Sequence, residues 1–291
     1  MSLAGKTAIV TGASKGMGYQ TALALAAKKC KVILADKVNQ TESLNRIVKE
    51  TGNEDLRTEF LDLSNLEAVR AFARNIKEKE KKVDILINNA GVFCMNKQKT
   101  VDGLDGVMQV NHLGPFLLTN LLVGVIKESS EGRIVFVTSS GAFFHNMSVD
   151  TLKEPDYFFP HFVSGAIHYY NSKLCNMVTS LMLAEELRKS NITSNSLHPG
   201  MTSTDFLVSN AGNDIFGTFK RKTTLEILKC TTKDVKTASH MQVFVATSPT
   251  LKNVTGQYFA GYMVHRPPSV LEDKKFCSGI WEESKRLVGL S

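Results

Sequence analysis

The sequence has no run that is both long and free of polar side chains. Its longest apolar stretches, such as Thr21 to Ala27 and Leu117 to Ile126, fall short of the roughly 20 residues a bilayer core demands or contain polar residues, so no integral membrane segment is expected. Met1 to Lys6 lack a basic flank followed by an apolar stretch and run straight into strand-like sequence, which excludes a secretory leader from the reading. Cysteine is sparse. The five, Cys30, Cys94, Cys175, Cys230 and Cys277, are odd in number, widely spaced and mostly among apolar neighbours, as suits reduced thiols filling a core, and a cytoplasmic location is expected. No CxxC, HExxH or tight cluster of His, Cys and carboxylates is present, so neither a structural zinc nor a metalloprotease finds support. With only 7 prolines and 43% hydrophobic against 22% charged residues, disorder and collagen-like fibres are excluded too.

Acid is also in short supply. Thirty-five basic residues against 28 acidic ones give a net charge of +7, which attracts anionic ligands over a distance. The densest basic runs, Lys77 to Lys82 and Lys220 to Lys222, have few stacking aromatics, so they read as solvated helix ends and no nucleic-acid partner is expected.

What is there is an alternation. Short β-branched apolar runs at 7–10, 31–35, 57–61, 83–87, 133–138, 192–197 and 257–260 are separated by stretches of helical period at 19–28, 66–79, 104–126 and 172–188. Most of the runs lack strict polar alternation, as in strands covered on both faces. The expected fold class is therefore α/β: one Rossmann-type, doubly wound parallel sheet of about seven strands flanked by helices, spanning residues 1–291. Two stretches break the rhythm, 141–168 and 205–233. Both follow the carboxyl ends of strands, where such sheets bind ligands, and both read as substrate loops.

After the first strand comes a G-x-x-x-G-x-G turn, Gly12, Gly16 and Gly18 with Ser14, Lys15 and Met17 between them, which opens a helix. Glycines here let the backbone approach a pyrophosphate at a helix N-terminus, and the Gly-Lys-Ser/Thr ending of a P-loop is missing. Asp36, 18 residues after Gly18, stands where a carboxylate accepts hydrogen bonds from adenosine ribose hydroxyls; its competing role is a strand-end turn. Asp62, with Leu63, is placed to meet the adenine, against a turn role for Asp62 and a helix-capping role for Ser64. Tyr169 and Lys173 lie at i, i+4 on one helix face. At about 6 Å and an effective dielectric near 20, the ammonium would stabilise a phenolate by roughly 2.8 kcal/mol, or about two pKa units. Tyr170, at i+3 from Lys173, is not distinguished from Tyr169 by spacing.

These residues, with Asn88-Asn89-Ala90-Gly91, Asn111-His112-Leu113-Gly114-Pro115-Phe116, Arg133 to Ser139 and His198-Pro199-Gly200, occur in an order that resembles the short-chain dehydrogenase/reductase family, in particular its retinol-dehydrogenase-like branch. The resemblance implies a nicotinamide-dependent oxidoreductase. Tyr169 would be its general acid/base, Lys173 the group that lowers the phenol pKa and holds the nicotinamide ribose, Ser139 rather than Ser140 the group orienting the substrate oxygen, and Asn111 a member of a water-borne proton relay. Asn89, Ala90 and Gly91 would line the adenosine side, and Pro199, Gly200, Thr202 and Thr204 the nicotinamide. Residue for residue the plain alternatives are a turn-capping hydroxyl for Ser139 and a buried amide bridging two backbones for Asn111.

Asp36 favours NAD(H), since a carboxylate repels a 2′-phosphate, while Lys15 and Lys37 pull toward NADP(H). The resemblance also implies a homodimer paired through the two long helices, 104–126 and 172–188, whose apolar residues would otherwise be core. The aromatics Phe143, Phe144, Tyr157, Phe158, Phe159 and Phe162, facing Phe206, Leu207, Ile215, Phe216 and Phe219, point to a lipophilic alcohol or carbonyl substrate of the retinoid, isoprenoid or steroid kind. The alternative is a dinucleotide-binding redox sensor or scaffold without turnover.

Overall fold

The computed structural model describes residues 1–93, 99–153, 161–200 and 235–290, with 161–164 described in backbone only. Its strands are β1 (Thr7–Thr11), β2 (Lys31–Asp36), β3 (Leu56–Phe60), β4 (Ile85–Asn88), β5 (Gly132–Val137), β6 (Ile192–His198), β7 (Tyr258–Ala260) and β8 (Met263–His265). They form one sheet in the order β3-β2-β1-β4-β5-β6-β7-β8. All pairs are parallel except β7 with β8, a hairpin closed by Gly261 and Tyr262, both at positive φ, the requirement of a type I′ turn. This eighth, antiparallel edge strand is missing from the sequence reading because three exposed residues carry no periodic signal.

The order reverses between β1 and β4, so the crevice at the carboxyl ends of these two strands is the ligand position of the fold. Its walls are set by a core on each face. Ile9, Ile33, Leu86 and Phe136 join one side with α3 (Leu66–Lys79), α5 (Gly114–Lys127), α6 (His161–Glu186) and α8 (Lys274–Leu287). Val10, Leu34, Ile87 and Val135 join the other with α1 (Gly16–Ala26) and α7 (Val235–Thr247). Side chains leaving both faces of the same strands are apolar, which explains the unalternated runs.

Several elements differ from the sequence reading. α1 starts at Gly16, inside the glycine turn, not at Tyr19. α2 (Thr41–Thr51) has one fully buried residue, Ile47, and α8 buries a narrow stripe, so neither stands out among charged neighbours. α6 begins at His161, taking the last part of the expected substrate loop 141–168 into helix. The stretch 104–126 is not one regular helix: α4 (Gly106–Met108) and α5 are joined by a π-turn, Gln109–Leu113. Taken together, Gly106–Lys127 reaches the length and apolarity of a membrane span, yet 67% of its apolar 18-residue window is buried inside the protein, as fits a core helix.

The two long helices expected to pair copies of the chain also build its core: α8 packs along α6, Trp281 meets the Phe116 ring edge-on at 4.9 Å, and residues 171–180 of α6 are buried all round. Leu121, Val123, Leu181 and Met182 are only partly buried. Cys30, Cys175 and Cys277 are buried free thiols, while Cys94 and Cys230 lie outside the described residues. Part of the basic run is used structurally, Lys79 pairing with Glu59 and Lys82 with Asp84.

Candidate active site

β1 ends in a turn whose geometry depends on missing side chains. Gly12 and Gly16 have φ of +67 and +61, the left-handed region. A Cβ on Gly18 would lie 2.1 Å from the Gly12 carbonyl oxygen, and one on Gly12 would lie 2.9 Å from Ala90 Cα, so the turn, the start of α1 and the Asn89-Ala90 loop are in backbone contact. Thr11 locks them, its Oγ1 accepting from Asn89 and Ala90 N–H at 3.0 Å each, and Asn89 Nδ2 donates to Thr11 O at 2.8 Å.

α3 and α8 cap their first N–H groups with Asn65 and Asp273, but α1 has Lys15 at its cap, no side-chain acceptor and no acid in its first turn. Its N–H groups and positive end are left for an anion. Ser14, Lys15, Gly16 and Met17 stay wholly or partly exposed around it, a cradle that fits a pyrophosphate.

Asp36 leans into the same turn. Its Oδ2 accepts from Ser14 N–H at 3.1 Å and its Oδ1 from Lys37 N–H at 2.8 Å, so the turn-forming role is real, and the remaining lone pairs are what it can offer a ribose. Asp62 likewise holds its own turn, accepting from Ser64 N–H at 2.9 Å and Ser64 Oγ–H at 2.6 Å. The helix cap is Asn65, not Ser64. Leu63 sends its side chain into the core, leaving only main-chain atoms for a base.

On the far side of Gly91 lies the second group. A Cβ there would stand 3.2 Å from Lys173 Nζ and 3.3 Å from Asn111 Oδ1, so both pack closely on Gly91. Asn111 does bridge backbones: its Oδ1 accepts from Val92 N–H at 2.7 Å, and its Nδ2 donates to Val92 O at 2.9 Å and Ser172 Oγ at 3.0 Å. Ser172 Oγ donates in turn to Tyr169 O at 2.7 Å. The Asn111 side chain is thus left one Oδ1 lone pair beyond these bonds.

Ser139 Oγ accepts from Gly141 N–H at 3.1 Å, the turn-capping role, and its hydroxyl also hydrogen-bonds the Tyr169 phenol, while Ser140 is exposed. Tyr170 is a packing residue. Its ring lies where a Cβ on Gly141 would be, 2.2 Å away, and it tilts against Phe144. The structure so separates the two tyrosines that spacing left equal.

Lys173 Nζ sits 5.5 Å from the Tyr169 ring centroid and donates to Val137 O at 3.1 Å. Burial pushes its pKa from 10.5 down to about 8. Burial also pushes the Tyr169 phenol above its ordinary value, against the lowering hydrogen bond from Ser139 and with a small further rise from Tyr170. The downward shift expected from Lys173 is not the net result here, because losing hydration costs the phenolate more than its partners return. Tyr169 as a whole residue is only partly buried.

Pro199 and Gly200 follow β6 at the same sheet edge, Gly200 at φ +94, and Thr202 and Thr204 lie outside the described residues. Of the expected aromatic walls, Phe143 and Phe144 are described, 47% and 74% exposed, while Tyr157, Phe158, Phe159, Phe206, Leu207, Ile215, Phe216, Phe219 and the Phe162 side chain lie outside the described residues. Phe93 was missed. It meets Tyr169 edge-on at 5.2 Å, and its place directly after Asn88-Asn89-Ala90-Gly91-Val92 was the available signal.

Comparison with known proteins agrees with this fold. The family model for short chain dehydrogenase matches residues 6–150. The chain is 37% identical to human retinol dehydrogenase 13 over 99% of its own length and 86% of that protein's. A crystal structure of an uncharacterised protein from Mycobacterium paratuberculosis superposes with a TM-score of 0.77 at 24% identity, covering 100% of this chain and 96% of that one. A short chain dehydrogenase from Escherichia coli CFT073, complexed with NADPH, superposes at 0.67 and 22%, covering 88% and 96%.

Proposed function

The chain belongs to the short-chain dehydrogenase family and is an oxidoreductase; on that premise we propose that it moves a hydride between a nicotinamide dinucleotide and a lipophilic alcohol or carbonyl, with Tyr169 as acid/base. The observation that carries the reading is the Ser139–Tyr169 hydrogen bond, set beside Lys173, which with Asn111 packs on Gly91. The glycine turn and the uncapped start of α1 hold the pyrophosphate, Asp36 the adenosine ribose, and Lys173 the second ribose. When bound, the nicotinamide supplies or takes up the hydride. The chain does the rest. In reduction, Ser139 Oγ holds the substrate carbonyl oxygen and the Tyr169 hydroxyl gives it a proton; in oxidation the phenolate oxygen takes the proton back. Lys173, 3% exposed, presents its charge to the ring from within the fold.

Phe93 supplies apolar surface beside Tyr169, Phe144 packs on its neighbour Tyr170, and the similarity to a retinol dehydrogenase supports a long apolar substrate. Each buried methylene contributes about 0.8 kcal/mol, nearly fourfold in affinity. Efficiency should therefore climb steeply from short to long primary alcohols, and comparable kcat/KM for a three-carbon and a ten-carbon alcohol would overturn the lipophilic reading while leaving the dehydrogenase intact. Asp36 favours NAD(H) over NADP(H). Paired titrations decide this, and a tenfold tighter affinity for NADPH than for NADH would reverse it.

A further inference from the structure

We propose that Gln242 of α7, together with Thr21 of α1, positions the dinucleotide turn: it fixes the Asn89 side-chain amide that holds the turn against α1, and so sets dinucleotide affinity without touching the reacting atoms. This rests on the reading of the glycine turn as the dinucleotide cradle.

Gln242 is fully buried, and α7 packs along α1. An amide in such a place needs partners at both ends, and it has them. Its Nε2 donates to Asn89 Oδ1 at 2.9 Å, and its Oε1 accepts from Thr21 Oγ1–H at 3.0 Å. The direction of the chain is fixed at its far end. Thr11 O is a carbonyl and only accepts, so Asn89 turns Nδ2 toward it, at 2.8 Å. Asn89 Oδ1 then faces Gln242, which must present its NH2 there and its oxygen to Thr21. The Thr21 hydroxyl has no other acceptor among the described residues and donates. Reversing either amide, or both, sets at least one pair of acceptors against each other.

The Asn89 amide lies where the turn is tightest. A Cβ on Gly18 would stand 2.6 Å from Asn89 Nδ2, and one on Gly12 would stand 3.2 Å from it. Thr21 is one helical turn beyond Gly18, so the chain joins the first turns of α1 to the loop after β4 through a side chain from a third element. Without the Gln242 donor, Asn89 Oδ1 loses its partner and nothing holds the amide in place against the two glycines. The acid/base cluster has other supports, Ser139 at Gly141 N–H and Lys173 at Val137 O, so binding should suffer and chemistry should not.

The test uses the full chain with NADH, and NADPH in parallel. Gln242→Met, similar in length but without the amide, should weaken dinucleotide affinity about tenfold, the size of a buried hydrogen bond lost, with kcat at saturating dinucleotide changed less than about twofold. Thr21→Val should cost about threefold, and Thr21→Ser, which keeps the hydroxyl, should bind like the parent. The double variant Gln242→Met with Thr21→Val should lose about tenfold, not the roughly thirtyfold that independent sites would give. In the dinucleotide-free protein, hydrogen exchange at residues 12–18 and 89–91 should rise at least about threefold in Gln242→Met while β5 is unchanged; a role in general stability would move both. Parent affinity in Gln242→Met, exchange raised equally in β5, or a loss of kcat matching the loss of affinity would each overturn the proposal. Thr21→Val and Thr21→Ser decide it where Gln242→Met does not fold. The underlying reading fails separately, by the unmodified chain binding neither dinucleotide, and the exchange measurement still decides the clamp on the turn.

Discussion

The glycine turn and the Ser139–Tyr169–Lys173 cluster meet around Gly91, yet they are built by opposite means. The turn works through side chains that are not there: Gly12 and Gly18 allow backbones to touch, and the uncapped α1 leaves its N–H groups free. It costs the fold little beyond chain entropy. The cluster works through side chains that would be cheaper elsewhere. Lys173 is buried with a depressed pKa, Tyr169 with a raised one, and Asn111 is enclosed entirely. A binding cradle can thus be made from shape, whereas proton transfer needs ionisable groups held out of water at the expense of stability.

Tyr169→Phe gives the largest effect and breaks the chemical half alone. Turnover should fall by roughly 10²–10⁴-fold, the worth of a general acid/base, with dinucleotide binding kept. Tyr170→Phe should be mild, and an essential Tyr170 would show that the geometry at Ser139 has been assigned to the wrong ring.

The binding half breaks at Gly18→Ala. A methyl 2.1 Å from the Gly12 carbonyl oxygen must push the turn apart, so dinucleotide affinity measured by fluorescence titration should weaken at least tenfold, with about 1–3 kcal/mol lost in stability. Gly16→Ala meets no atom within 4 Å but has φ +61, so about 1–2 kcal/mol of strain should appear in urea unfolding with a smaller change in affinity. Equal damage from both would mean that strain, not contact, controls the turn.

Lys173→Met sharpens the contrast through stability. The folded pKa, about 8, lies below the unfolded value near 10.5, so at pH 7 the lysine is charged in both states and its burial opposes folding by roughly 3 kcal/mol. That penalty is complete below pH 8 and disappears as pH rises from about 8 to 10.5. Allowing for the lost bond to Val137 O, the variant should be about 1–2 kcal/mol more stable at pH 7, inactive, and no more stable than the parent near pH 10. A variant less stable at neutral pH would show that the ammonium is fully compensated where it lies.

The glycine turn was legible because its physics is local: a strand, three glycines at fixed spacing and a helix are contiguous in the chain. The same holds for Tyr169 and Lys173, one helical turn apart. Asn111 to Ser172, His112 to Ser284 and Phe93 to Tyr169 were not legible, since each joins segments brought together only by the sheet order and the packing of α8. The direction of the Tyr169 pKa was misjudged for the same reason. Spacing supplies the distance to an ammonium, but burial depends on everything else that surrounds the ring.

The sequence by itself therefore determined the βαβ alternation, the place of the ligand turn and the candidate chemistry, because periodicity, glycine freedom and helical spacing act over a few residues. Tertiary structure alone decided which tyrosine faces Ser139, that α8 packs along α6, and how far Lys173 and Tyr169 are removed from water. These are matters of what packs against what, and desolvation is a property of the assembled fold rather than of any stretch of chain.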